Sequence, residues 1–220
     1  MVVFGVVVAL LLIAGLQLAV DDGPRSRVTV AIGLSLSPMG FGLAWGTPAV
    51  GVVCLALALR PRWRELFSRT FPRSAVWISV LSLSGLAVFI VWQGSTSGRT
   101  GAAISWNEPT RPDLPIGLVV TGVVLVAVVN SLFEEFLWRA GMADMLAPRD
   151  STAAPWLIMV SLGFGLSHLY GTPGGWTGVV ATACFGLAMA ALRFCCRGSI
   201  LLCVAVHAIA DLVLLGMLYV

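Results

Sequence analysis

The chain has 220 residues, of which 59% are hydrophobic and only 10% charged, and its mean hydropathy is +0.99. Soluble domains carry about 25% charged residues, so composition excludes a soluble globular protein, and the weak alternating segments of a transmembrane barrel are not evident. All 13 basic residues are arginine, clustered between apolar stretches, and the formal net charge is only +3; the pattern reads as membrane topology and gives no reason to expect a nucleic-acid partner. The expected architecture is an all-α, polytopic transmembrane bundle.

Taken in order, Met1–Val20 is apolar with no basic leader and reads as a first span instead of a cleaved signal. Val28–Leu59 is uncharged and longer than the ~20 residues a crossing needs; broken by Pro38, Gly40, Gly42, Gly46 and Pro48, it reads as one kinked span. Residues 60–73 hold five arginines, and Trp63, Leu66 and Phe67 could share one face of an interfacial helix. Ser74–Trp92 is the third span, followed by a Gly/Ser/Thr/Pro loop, Gly94–Pro115. The fourth span runs from Ile116 to about Leu146, the fifth is Pro155–Tyr170, the sixth Trp176–Arg193 and the seventh Ser199–Val220. Gly186 and Ala190 give the sixth a small-residue packing face. Residues 1–115 thus form an amino-terminal membrane part with a basic cytoplasmic loop, and 116–220 form the part rich in chemistry. The arginine-rich loops at 60–73, 147–154 and 193–198 alternate with poorer ones, which predicts a cell-membrane, multi-pass protein with a cytoplasmic N-terminus.

Glutamate is scarce: the chain holds only Glu65, Glu108, Glu134 and Glu135. The last two are adjacent inside an apolar segment, where a carboxylate costs about 2.5–3.5 kcal/mol on insertion scales and marks a functional site by default. Glu135 and Arg139 are spaced i, i+4 and can pair, whereas Glu134 points about 100° away on a helix and has no such partner. Both histidines of the chain also lie in apolar segments: His168 closes Phe164-Gly-Leu-Ser-His168, and His207 opens His207-Ala-Ile-Ala-Asp211. At 1.5 Å rise per residue, His168 is about 20 Å along its span, so all these groups can meet near mid-membrane. From the residues alone the cluster serves as a catalytic site, a set of helix–helix bonds, or a proton relay.

The ordered set Glu134-Glu135-x-x-x-Arg139, Phe164-x-x-x-His168 and His207-x-x-x-Asp211, with Arg193-x-x-x-Arg-Gly-Ser-Ile200 before the third motif, resembles the CPBP family. That family comprises the type II CAAX prenyl endopeptidases and the bacterial Abi-type membrane proteases. The resemblance covers about residues 116–218 and implies an eight-span or similar helical bundle, against the seven spans counted here. It implies an intramembrane endopeptidase acting on a membrane-associated peptide or protein, with Glu134 as general base, His168 as its partner, and His207 and Asp211 binding the oxyanion. Glu135, Arg139 and Phe164 then support the structure. The third motif most often ends in asparagine in the family; an ionised Asp211 cannot donate a hydrogen bond and would instead fix the tautomer of His207.

The expected chemistry uses no cofactor, water being activated by carboxylate and imidazole. A zinc alternative would take Glu134, His168 and His207 as ligands, although the sequence lacks the local spacing of the zincins. Two other readings stay open. One is a catalytically idle scaffold or bacteriocin-immunity-type protein; the other is a proton-coupled transporter, which would show inverted repeats.

Overall fold

A computed structural model describes residues 63–69, 71–100, 114–142, 154–169 and 173–219. The expected spans Met1–Val20 and Val28–Leu59 lie outside the described residues, and with them the count of seven. The described chain is all-helical: α1 is Trp63–Leu66, α2 Arg73–Thr100, α3 Ile116–Glu134, α4 Ala154–Ser167, α5 Gly175–Cys195 and α6 Leu201–Tyr219. Between α3 and α4, residues Glu135–Met142 extend α3 without a break as a π-helix. Arg73–Trp92, Ile116–Met142 and Gly175–Cys195 are long and apolar enough to cross a membrane; Leu157–Ser167 and Leu201–Met217 are shorter apolar helices.

The bundle is inverted relative to a soluble protein. On α3 and its π extension, Leu118, Leu125 and Val129 are exposed, while Ser131, Glu135 and Arg139 are buried. Apolar groups outward and charged groups inward is the arrangement that hydrocarbon surroundings select. This is a membrane protein.

Three expectations change. The helix that begins at Arg73 does not stop at Trp92 but continues through Thr100, into the stretch read as loop 94–115. Residues 63–66 form a single turn whose Leu66 is fully buried while Trp63 is exposed. Phe67 is packed against the core, so the expected interfacial face of Trp63, Leu66 and Phe67 is divided between interior and exterior. The reason is a clamp to the far end of the chain: Ser199 Oγ donates to the carbonyls of Leu66 (3.1 Å) and Ser68 (2.8 Å), and the Ile200 amide donates to Leu66 O (2.8 Å). The connection from α5 turns sharply at Gly198, whose φ of +92° suits a residue without Cβ. Lastly, α4 ends at Ser167, and His168 sits in the turn just beyond it instead of within the span.

α4 packs along α5, α6 along α3, and α2 against α5 and α6. Small residues allow the close approach of α4 and α5. A Cβ added at Gly186 would stand 2.9 Å from Phe164 Cδ1 and 3.3 Å from Arg139 Nη2. Gly186→Val should therefore overpack the joint between α4, α5 and the π segment, at a cost of about 1–3 kcal/mol. A melting curve of the purified variant in detergent checks this; an unchanged midpoint would mean the contact gives way freely.

Candidate active site

The π segment places both glutamates on one histidine. π-helical turns interrupt α-helices rarely and often at functional sites. Here the change from α to π falls between Glu134 and Glu135, and each reaches a different edge of the His207 ring. Glu135 Oε1 accepts from Nδ1 at 2.7 Å, while Glu134 Oε2 lies 3.4 Å from Nε2. Asp211, one turn along α6, puts Oδ1 3.6 Å from the same Nε2. An ionised Glu135 can only accept, so Nδ1 carries the proton. Nε2 is then the atom His207 offers to the carboxylates and to any substrate: acceptor in the neutral ring, donor in the imidazolium.

Glu135 is fully buried and Arg139 is 1% exposed, with Nη1 and Oε1 3.3 Å apart. The expected i, i+4 pair is thus present as an ion pair, yet Nη1 and Nε make no hydrogen bond. The contact is electrostatic and not aligned. The guanidinium is held instead by Nη2 donating to Gly186 O at 3.3 Å and by the Phe164 ring, 4.4 Å below its central carbon. Desolvated cation–π contacts of this kind contribute about 2 kcal/mol.

Phe164 touches more than Arg139. Its ring centroid lies 4.7 Å from that of His168 and 6.0 Å from that of His207, edge-on to both. His168 Nδ1 is 3.0 Å from Phe164 O, which must accept, so this ring too keeps its proton on Nδ1 and leaves Nε2 bare. No hydrogen bond or ion pair joins His168 to Glu134 among the described residues. The structure gives Glu134 to His207 instead, a pairing the motif order does not reveal.

A cavity of about 620 Å³ opens beside the cluster. His168, His207, Asp211, Phe164, Phe185 and Thr182 line it together with Ile78, Ser82, Gly85 and Phe89 of α2. The wall from α2 belongs to the amino-terminal part, where no chemistry was expected. Glu134 is not among the lining residues; it meets the cavity through His207, and its side chain keeps 14% exposure. Among the described residues no three His, Cys, Asp or Glu side chains are grouped so as to hold a metal ion. The alternative ligand set of Glu134, His168 and His207 is not assembled in this arrangement.

Two polar residues absent from the sequence motifs complete the cluster. Asn130 Nδ2 donates to Asp211 Oδ2 at 3.0 Å, and Ser131 Oγ lies 3.3 Å from the same oxygen. The sequence carried one sign of them: Asn130 and Ser131 stand four residues before Glu134 and Glu135, on the same faces of the helix.

The whole arrangement is a membrane-embedded cluster of three carboxylates around one imidazole. Residues 116–213 match the family model described as Rce1-like, type II CAAX prenyl endopeptidase. That match spans α3, the π segment, α4, α5 and the histidine turn of α6, and over these residues the chain is similar to the type II CAAX prenyl endopeptidases. No curated protein and no solved structure matches the chain.

Proposed function

We propose that the protein is an intramembrane endopeptidase of the CAAX type, cleaving a peptide bond of a membrane-associated substrate, with Glu134, His168, His207 and Asp211 at its reacting centre. The observation that carries this reading is the Oε2 atom of Glu134. It is buried, lacks a hydrogen-bond donor, and faces the Nε2 edge of His207 on the wall of an apolar cavity. A carboxylate so placed takes a proton from a water molecule, and the resulting hydroxide adds to the substrate carbonyl carbon. Glu134 or His168 then returns the proton to the leaving amine as the C–N bond breaks. His207, fixed through Nδ1 by Glu135, stabilises the oxyanion from Nε2 in its protonated form. Residues 116–220 form the catalytic core. On this reading the chain is a multi-pass protein of the cell membrane, with about seven or eight spans and a cytoplasmic N-terminus.

Purified protein in proteoliposomes, supplied with an internally quenched prenylated CAAX peptide, tests the reading: cleavage is expected, and an idle scaffold or a transporter would give none. Water activated by Glu134 needs no metal, so strong chelators should leave turnover unchanged. Loss of turnover on chelation, restored by stoichiometric zinc, would instead promote Glu134, His168 and His207 to ligands.

A further inference from the structure

We propose that Asn130 is a positioning residue of the site, forming with Asp211 a single amide–carboxylate unit shared between α3 and α6. The inference rests on the protease reading for its catalytic consequence but not for its geometry.

The contacts between α3 and α6 form two rungs. In one, Glu134 and Glu135 meet His207; in the other, Asn130 and Ser131 meet Asp211. Residue numbers fall by about four on α3 as they rise by four on α6, so the helices run antiparallel and the rungs lie one turn, about 6 Å, apart. The first rung places the imidazole. The second has no charged partner: Asp211 Oδ2 accepts from one amide and one hydroxyl, leaving Oδ1 to face His207 Nε2 at 3.6 Å. Ser131 is the weaker holder, because its hydroxyl is already 2.7 Å from Ala127 O. Asn130 supplies the donor with no competing bond among the described residues.

As a carboxylate, Asp211 can accept but not donate. The amide that completes the unit comes from the opposite helix. Asn130 thereby decides which oxygen of Asp211 is turned toward His207, and how the carboxylate sits against the cavity it lines. Asp211→Asn alone replaces the amide–carboxylate unit by an amide–amide pair. Asp211→Ala should lose about 10- to 100-fold, the scale found when groups that orient a histidine are removed.

The test is an exchange. Asn130→Asp sets two carboxylates against each other, where both cannot remain ionised and undisturbed. Asp211→Asn added to it restores one amide facing one carboxylate with the roles reversed. Asn130→Leu removes the amide without adding charge and cannot be repaired from position 211. The chain has only two histidines, so ¹⁵N-histidine NMR of the full chain in detergent resolves both rings, and a His168→Gln variant assigns them.

Asn130→Asp should move the His207 ring signals and leave those of His168 in place. The double variant should bring them most of the way back, and Asn130→Leu with Asp211→Asn should not. On the quenched prenylated peptide, kcat should fall about tenfold or more in Asn130→Asp at unchanged KM, and recover to within about threefold in the exchange. His207 signals indifferent to Asn130→Asp, or no recovery in the double variant, overturn the proposal. Absence of turnover in the wild type would count against the protease reading, and the imidazole signals would still decide the positioning claim.

Discussion

Glu134→Gln abolishes peptide cleavage while the protein remains folded in detergent: this is the expected result with the largest effect on activity. Glutamine keeps the shape of the side chain and removes its ability to take a proton. General-base contributions run to about 10²–10⁴-fold, and the neighbouring carboxylates are already engaged. Glu135 Oε1 is occupied by His207 Nδ1 and lies beside Arg139, and Asp211 Oδ2 is held by Asn130 and Ser131. The melting midpoint should hardly move, because Glu134 Oε2 makes no hydrogen bond that the substitution would break. Turnover near wild type in the folded variant would move the base elsewhere. A variant both dead and unfolded would show that Glu134 serves the fold.

The opposite pattern is expected at Arg139. Arg139→Ala removes the cation beside Glu135, the donor to Gly186 O and the group stacked on Phe164. Breaking a buried pair by deleting one partner costs about 3–5 kcal/mol. The lower end applies here, since His207 still donates to Glu135 at 2.7 Å. The measurement is the thermal midpoint and the yield of folded protein. Arg139→Lys keeps the charge but not the planar group that stacks on Phe164, and should fall between alanine and wild type. An alanine variant as stable as the wild type would mean that the ion pair contributes nothing net to the fold.

The local spacing of the sequence made part of this legible. The i, i+4 pairs Glu135–Arg139 and His207–Asp211 follow from helix period alone, and both are close contacts in the structure. So does the all-helical class, from hydropathy. What sequence did not disclose is register between helices. Glu134 was expected to partner His168, because the motifs name those residues and say nothing of how α3 and α6 slide against one another. The antiparallel rungs bring His207 to Glu134 and Asn130 to Asp211. The π segment was hidden for a related reason: Glu-Phe-Leu-Trp-Arg-Ala-Gly-Met carries no residue that demands i→i+5 bonding, and its contacts are with α4 and α5, which local sequence does not disclose. His168 was placed within a span because the apolar run continues past it, yet α4 stops at Ser167. The α2 wall of the cavity is a tertiary fact, carried by residues such as Gly85 and Phe89 that advertise no chemistry.

The central claim is that Glu134, poised against His207, makes this bundle a protease acting on a membrane-associated chain. It is tested most directly by comparing peptide termini in membranes from two sets of cells, one carrying the wild-type protein and the other Glu134→Gln at the same level. At least one membrane-associated protein should show a newly cut terminus with the wild type and remain whole with the variant. Identical termini in both, with the two proteins equally abundant and folded, would contradict the claim.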